Sequence, residues 1–239
     1  MIRPAVVANA AGERSLAVLP SPLHLAELVA GEGAWELEIG FGKGRYLVSR
    51  ATAEPIRRFL GIEVAGEYYR EVARRVARRR LANLAVLRGE AQYLLATALP
   101  PSFAAAVHVY FPDPWPKAHH HRRRLFSPGS LDLVLRPLVA GGDLFFATDH
   151  LDYGAEVEAV LAGQPGLELE RIDGEWPEGA RTHYEAKYVA EGRPILRLHG
   201  VLRDAARLHP AGRSQVLIAH PPIGAPLLTE TAAESPAAL

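Results

Sequence analysis

The stretch from Val107 to Leu125 combines an apolar strand, a carboxylate between prolines and a run of cations. It reads VHVYFPDPWPKAHHHRRRL. Prolines at 112, 114 and 116 fix their own φ angles and favour extended backbone at Phe111, Asp113 and Trp115. Open α/β sheets bind ligands outside the carboxyl ends of their strands. We therefore predict that Asp113 is a rigidly held catalytic carboxylate, with a solvated proline-rich loop as the open alternative.

The cations that follow this carboxylate suit contact with RNA. Lys117 and the neighbouring arginines can neutralise phosphates, and imidazole rings can stack on bases. Three consecutive histidines cannot all point at one ion, so we predict no metal site here. The predicted RNA-binding residues are His119, His120, His121, Arg122, Arg123 and Arg124.

A glycine loop, EIGFGKG at 38–44, places Gly40, Gly42 and Gly44 between a predicted strand and a predicted helix. Alternating glycines let the backbone turn tightly and approach a ligand closely. The spacing is G-x-G-x-G, not the G-x-G-x-x-G that binds a dinucleotide pyrophosphate, and it is preceded by Glu38. A carboxylate repels phosphate but attracts a cation, so S-adenosylmethionine is the predicted cofactor. A purely structural turn remains the alternative.

Two further acids follow the next two predicted strands. Glu63 ends the second strand, where an acid can accept the ribose hydroxyls of an adenosine cofactor, and Glu90 follows the third, where an acid can accept the adenine amino proton. Because strand ends converge on one crevice in a doubly wound sheet, we predict that both contact the cofactor.

Composition limits the possible classes of protein. The 239 residues are 49% hydrophobic, which is enough for the core of one α/β domain. The 27 basic and 27 acidic residues balance, so a nucleic-acid contact must be local. With no cysteine there is neither a disulfide nor a thiolate metal site. The absence of a signal or membrane-spanning pattern leads us to expect a cytoplasmic protein.

Alternating strand and helix patterns predict a doubly wound, mostly parallel, Rossmann-like α/β sheet. Predicted strands read WELEI, FLGIE, LAVL, AAAVHVYF and DLFFAT, and predicted helices cover 45–53, 66–81, a short stretch after Gln92, 127–142 and 151–162. The helix over 127–142 is predicted from Ser127-Pro128 as its start and Gly141-Gly142 as its end. Six arginines between positions 70 and 80 favour a solvated face of the helix over 66–81, with RNA contact as the alternative.

The predicted organisation has three parts. Residues 1–34 form a partly ordered N-terminal segment, 35–199 the catalytic domain, and 200–239 a C-terminal extension with a strand at SQVLIAH. We expect the last dozen residues of that extension to be mobile, because they lack a buried pattern.

Taken in order, EIGFGKG, GIEV, GEA, FPDPWPK, the basic run, TD at 148–149 and THYE at 182–185 resemble the bacterial tRNA (guanine-N7-)-methyltransferase family. The FPDPWPK block is specific to that family, whereas the glycine loop and GIEV are common among class I S-adenosylmethionine-dependent methyltransferases. The resemblance implies methylation of N7 of the guanine at position 46, in tRNA numbering, within the variable loop of tRNA.

The resemblance also implies roles for residues. Asp113 is the catalytic candidate and contacts the cofactor with Glu38, Glu63 and Glu90, although the family commonly has Asp where this chain has Glu90. The implied substrate-binding residues are Lys117, Asp149, Thr182, His183, Tyr184 and Glu185. From the residues alone, Asp149 has an alternative as the cap of the helix near Leu151.

Two other functions stay open from the sequence. One is a class I methyltransferase that acts on a small molecule or a protein, and the other is a non-catalytic RNA-binding protein on the same scaffold. Both a monomer and a homodimer are compatible with the sequence.

Overall fold

The computed structural model describes residues 6–15, 22–29 and 31–204. Within these ranges, nine strands form one sheet in the order β2-β1-β5-β4-β3-β6-β7-β9-β8. The strands are β1 Val6–Asn9, β2 Gly12–Ser15, β3 Trp35–Ile39, β4 Arg58–Glu63, β5 Leu84–Arg88, β6 Ala104–Tyr110, β7 Leu138–Thr148, β8 Leu167–Arg171 and β9 Leu196–Leu202. The helices are α1 Arg45–Ala53, α2 Gly66–Arg79, α3 Ala91–Thr97, α4 Leu131–Leu135, α5 Leu151–Ala162 and α6 His183–Ala190.

The five central strands β5, β4, β3, β6 and β7 are parallel, and the strands at both edges pair antiparallel. The chain order reverses between β3 and β6, so the carboxyl ends of neighbouring strands open on a crevice there. This arrangement confirms the predicted doubly wound α/β fold.

Alternation along β3 separates an apolar face from an acidic face. Leu37 and Ile39 join the larger core, to which α3, α4 and α5 contribute, while α1 and α2 pack in a second cluster on the other face. Because successive side chains of a strand point to opposite faces, Glu36 and Glu38 lie on the face that α1 covers. Two buried carboxylates thus line the inner side of α1.

The helix predicted over 127–142 is wrong in extent. Ser130 is its N-cap, and α4 ends at Leu135, two residues before Pro137, because proline donates no backbone hydrogen bond. Gly141 and Gly142 lie inside β7, where the pairing with β6 shifts register. With a φ of 78°, Gly141 forms a bulge instead of a helix end.

Other elements were not predicted. The hairpin of β1 and β2 extends the sheet beside β5, and β8 occupies the opposite edge. β9 continues to Leu202, beyond the predicted domain end at 199. The predicted SQVLIAH strand and the final dozen residues lie outside the described residues.

Candidate active site

The carboxyl ends of the five parallel strands carry one acid each. Glu38 lies near the end of β3, directly before the glycine loop, and Glu63 is the last residue of β4. The other three acids follow β5, β6 and β7, namely Glu90, Asp113 and Asp149. The topology therefore sets all five at one edge of the sheet.

The glycine loop requires glycine for two different reasons. Gly42 has a φ of 50°, and a Cβ there meets nothing within 4 Å, so its backbone faces open space. Gly44 has a φ of 63°, and a Cβ there lies 2.7 Å from a methyl group of Val72. Left-handed backbone is costly for other residues, so the loop keeps an exposed backbone surface beside α1 and packs α1 closely against α2.

Glu63 ties the second strand to this loop. Its carboxylate accepts hydrogen bonds from the backbone N–H of Gly42 at 2.8 Å and of Ala65 at 2.7 Å. Each oxygen keeps further acceptor capacity, so a hydroxyl donor can still bind the carboxylate.

Glu38 is the least satisfied acid of the site. Its side chain is 2% exposed, and one carboxylate oxygen, Oε2, is buried without a hydrogen-bond partner. Burial raises the pKa of Glu38 to about 8. A hydrogen bond from the backbone N–H of Leu47 lowers the pKa, but its effect is smaller than that of burial. A buried carboxylate with an unpaired oxygen is stabilised by a cationic donor, so Glu38 fits a ligand that carries an ammonium or sulfonium charge.

Glu90 has a structural role that the sequence reasoning missed. It is the N-cap of α3 and accepts hydrogen bonds from the backbone N–H of Gln92 at 3.1 Å and of Tyr93 at 2.8 Å. The residue is exposed, so its carboxylate also faces solvent at the sheet edge. Its position directly before a helix was the available signal.

The backbone on either side of Asp113 is strained, and here the predicted extended conformations are wrong. Phe111 has a φ of 51° and Trp115 a φ of 41°, both in the left-handed region, although each precedes a proline. Tertiary contacts impose this conformation on Phe111: its N–H donates to the carbonyl of Ala147 at 2.7 Å, and its ring meets that of Tyr188 with centroids 5.5 Å apart. Strain of this kind clusters at functional sites.

The basic run divides into exposed and buried members. Lys117 and His119 are exposed, and the exposed Arg123 lies over the Trp115 ring at 5.0 Å. The His119 ring contacts the ring of His120, with centroids 4.0 Å apart. His121 has a buried Nε2 without a hydrogen-bond partner, and of the Arg122 side chain nothing is described.

Arg124 is 5% exposed, and its side chain contacts other residues of the protein. Its guanidinium donates to the carbonyl of Pro114 at 2.8 Å, pairs with Glu156 and covers the Tyr153 ring at 4.8 Å. This placement argues against the predicted RNA contact of Arg124, because its donors already anchor the Asp113 loop to α5.

The THYE segment forms the start of helix α6. Thr182 is the N-cap and accepts from the backbone N–H of Glu185 at 3.0 Å. His183 and Tyr184 are exposed, and the ring of Tyr184 lies 6.0 Å from that of Tyr188, centroid to centroid. Glu185 is fully buried and pairs with Arg197 at 2.7 Å, so its carboxylate is used inside the protein.

Asp149 forms an ion pair with Arg193 and is not the cap of α5. That cap is His150, whose ring nitrogen Nδ1 accepts from the backbone N–H of Tyr153 at 3.3 Å. Arg193 in turn lies over the Tyr188 ring at 4.0 Å. Asp149 is therefore held at the end of β7 by a partner from the segment after α6.

The sequence reasoning also missed Arg181. Its side chain is buried, and its guanidinium lies 4.0–5.7 Å from the ring centroids of Tyr46, Tyr110, Phe145 and Trp176. It donates to the Tyr110 hydroxyl at 2.6 Å and pairs with Glu178 at 2.6 Å, while its backbone N–H donates to Glu185 at 2.8 Å. No motif in the sequence pointed to this residue.

A polar cavity of about 640 Å³ lies beside α1, on the face of the sheet that carries Glu36. Glu36 accepts from Arg50 at 3.0 Å and from Arg57 at 2.9 Å, and it contacts His108 at 3.2 Å. Burial opposes the charge of Glu36, but the hydrogen bond and charge of His108 and the charge of Arg50 outweigh it and lower the pKa of Glu36 to about 2. The floor of the cavity thus carries an ion-pair network around Glu36.

Two absences concern only the part of the chain that the structure describes. No group of three or more His, Cys, Asp or Glu side chains there is arranged to hold a metal ion. None of the helices in those ranges has the length and apolar character needed to cross a membrane.

The sheet order, the glycine loop and the acids at the strand ends define a methyltransferase of class I fold. Solved structures share this fold. The 16S rRNA methyltransferase KamB is 15% identical with a TM-score of 0.60, over 82% of this chain and 99% of that chain. A variant of the 16S rRNA (adenine(1408)-N(1))-methyltransferase from Catenulisporales acidiphilia, solved with cosubstrate SAM, is 16% identical with a TM-score of 0.55, over 84% and 97%.

The sequence gives the particular family. The family described as "Putative methyltransferase" matches residues 33–198. The tRNA (guanine-N(7)-)-methyltransferase of Nitrosococcus oceani is 38% identical over 174 residues, which cover 73% of this chain and 74% of that protein. The chain belongs to the tRNA (guanine-N7-)-methyltransferase family, and the predicted resemblance is confirmed.

Proposed function

We propose that this protein transfers a methyl group from S-adenosylmethionine to N7 of the guanine at position 46 in the variable loop of tRNA. The observation that carries the proposal is the position of Asp113. It lies on a strained loop after β6, the strand next to β3, which carries Glu38. The exposed cations of the basic run follow directly. Relatives that are named tRNA (guanine-N(7)-)-methyltransferase support methyl transfer to guanine N7 of tRNA.

The proposed cofactor residues are Glu38, Gly40, Gly42, Gly44, Glu63, Glu90 and Asp113. The unpaired oxygen of Glu38 suits the ammonium group, and the remaining acceptor capacity of Glu63 suits the ribose hydroxyls. Both carboxylate oxygens of Glu90 already accept hydrogen bonds from the backbone of α3. A hydrogen bond from the adenine amino group to Glu90 is therefore proposed to add to these capping bonds. When bound, S-adenosylmethionine supplies a methyl group that N7 accepts through its lone pair as the bond to sulfur breaks.

The residues of this chain need to align N7 with the methyl group and to stabilise the charge that develops on guanine. No base has to remove a proton. N7 of guanine carries a free lone pair, so positioning and exclusion of water provide most of the acceleration. Guanine becomes cationic as the methyl group arrives, and a nearby carboxylate stabilises that charge more than it stabilises neutral guanine. Asp113 and Asp149 are the candidates for this role and for accepting the N1–H and N2 amino protons of guanine.

The remaining residues are proposed to hold the RNA. Lys117, Thr182, His183 and Tyr184 surround the guanine, and the basic run from His119 to Arg123 contacts phosphates and bases. Glu185 and Arg124 are proposed to hold other residues of the site in place and not to contact the RNA, because both are buried and paired inside the protein.

The test is a methyl-transfer assay with unmodified tRNA transcript and labelled S-adenosylmethionine, followed by nucleoside analysis. We expect 7-methylguanosine as the labelled product, and a transcript with adenine at position 46 should take up no label. Label in protein or small molecules but not in tRNA would support another class I methyltransferase, and tRNA binding without any transfer would support a non-catalytic RNA-binding protein.

A further inference from the structure

Three cations lie beside the glycine loop, on the α1 and α2 side of the site. Lys43 and Arg45 are exposed, and Arg75 of α2 is half-buried. Arg75 donates from its guanidinium to the backbone carbonyl of Lys43 at 2.5 Å, which fixes α2 against the loop. Among the described residues, no carboxylate lies within salt-bridge distance of these three side chains. Their charges are therefore available to an external anion.

These charges act on His183 at the start of α6. Desolvation is the largest cause that lowers the pKa of His183, the positive charges of Arg45, Lys43 and Arg75 lower it further, and the charge of Glu71 opposes them. A neutral His183 accepts or donates a hydrogen bond without adding another cation. The same helix carries the exposed Tyr184. The three cations are thus near enough to act electrostatically on the helix that carries residues proposed to bind the guanine.

The basic run lies on the opposite side of the site. It is anchored through Arg124, whose backbone carbonyl accepts from the Gln92 side chain of α3 at 3.1 Å and whose guanidinium covers Tyr153 of α5. Helices α3 and α5 pack on one face of the sheet, and α1 and α2 pack on the other. The site is therefore flanked by cations from both faces.

We propose that Lys43, Arg45 and Arg75 form a second phosphate-binding surface for the tRNA. This surface holds the tRNA backbone on the side of the target nucleotide that lies away from the basic run. This inference rests on the proposed function and deepens it. Exposed cations without acidic partners complement a sugar–phosphate backbone, and their placement beside α6 suits the phosphates next to a nucleotide drawn into the site.

The chain provides a matched control at the C-terminal end of α2. Arg78, Arg79 and Arg80 are exposed and carry the same total charge, but they follow Arg75 toward the far end of α2. The test variant is Lys43→Gln with Arg45→Gln and Arg75→Gln, and the control is Arg78→Gln with Arg79→Gln and Arg80→Gln.

The measurement is tRNA affinity at several salt concentrations, with S-adenosylmethionine affinity measured in parallel. We expect the slope of log affinity against log salt to fall by about 3 in the test variant, about one for each cation, and to stay near that of the unaltered chain in the control. Cofactor affinity should stay within about twofold in the control, because none of its three side chains is proposed to touch the cofactor or the glycine loop.

Because Arg75 also braces the glycine loop, a second variant retains it. Lys43→Gln with Arg45→Gln should lower the salt slope by about 2. An unchanged slope in this variant, or an equal loss in the control, would overturn the inference while leaving the proposed function intact. Failure of the unaltered chain to bind or methylate tRNA would instead defeat the proposed function itself.

Discussion

The Arg181 guanidinium donates a hydrogen bond of 2.6 Å to the Tyr110 hydroxyl. Tyr110 is the last residue of β6, directly before the Asp113 loop, and Arg181 directly precedes the cap of α6. One buried cation therefore links the proposed catalytic loop to the proposed guanine-binding helix. The positive charge of Arg181 also lowers the pKa of Glu38, which burial raises.

Arg181→Met should lower kcat for tRNA methylation by about tenfold to a hundredfold, because misplacement of positioned groups by about 1 Å has effects of that size. Arg181→Lys retains the charge and should recover part of the activity. Steady-state kinetics with tRNA and binding of S-adenosylmethionine measure the two effects separately. Arg171→Met, which removes an exposed arginine of β8, is the control. Equal losses of cofactor affinity and kcat in Arg181→Met would mean that Arg181 only supports the fold.

The affinity for S-adenosylmethionine should rise with pH up to about 8. Burial raises the pKa of Glu38 to about 8, so below that pH the carboxyl is mostly protonated and must lose a proton before it can pair with a cation. The affinity then increases by at most about tenfold per pH unit below 8 and levels off above it. Titration calorimetry between pH 6 and 9 measures this dependence.

Glu38→Gln is the matched variant for that measurement, since it preserves shape and removes the titrating group. It should bind the cofactor more weakly at pH 8 and lose the rise with pH. A parallel rise in both proteins would assign the pH dependence to another group.

Glu90→Ala should lower the free energy of unfolding by about 1 kcal/mol even without cofactor, because α3 loses its N-cap. Glu90→Asp keeps a capping carboxylate and should restore most of the loss. Chemical denaturation measures both. Glu67→Ala removes an exposed acid from the first turn of α2, which has no side-chain cap, and should cost only a few tenths of a kcal/mol. Equal effects of Glu67→Ala and Glu90→Ala would contradict the capping role.

Neighbouring arginines of the basic run should behave differently. Arg124→Gln should destabilise the protein by roughly 2 kcal/mol, because hydrogen bonds from a buried charged group are lost. Arg123→Gln should leave stability unchanged and lower the salt slope of tRNA binding by about 1. Thermal unfolding and salt-dependent binding of both variants measure this contrast, and a larger slope change in Arg124→Gln would return Arg124 to the RNA surface.

The fold could be predicted from local patterns, and the candidate site was predicted from motifs that lie at strand ends. Glu38, Glu63 and the glycine loop could be located because one short strand and one glycine turn determine their positions. The ends of helices and the backbone conformation of loops were harder to predict. Pro137 terminated α4 early, and Phe111 and Trp115 adopted positive φ values that tertiary contacts impose against local preference.

Buried roles of charged residues were also not predictable. Arg124 and Glu185 stand in motifs that suggest contact with RNA, but their burial depends on Glu156 and Arg197, which come from distant parts of the chain. Arg181 lies in no motif, because the four aromatic rings around it come from three elements and one loop, which are separate in sequence. Only three-dimensional packing distinguishes a buried arginine from an exposed one.

The most direct test of the central claim is to map the methylated nucleotide in tRNA treated with the unaltered chain and with Asp113→Ala. Strand scission specific for 7-methylguanosine should occur at position 46 after treatment with the unaltered chain. It should be absent after treatment with Asp113→Ala, although that variant still binds tRNA. Scission at another guanine, or equal scission with both proteins, would contradict the account.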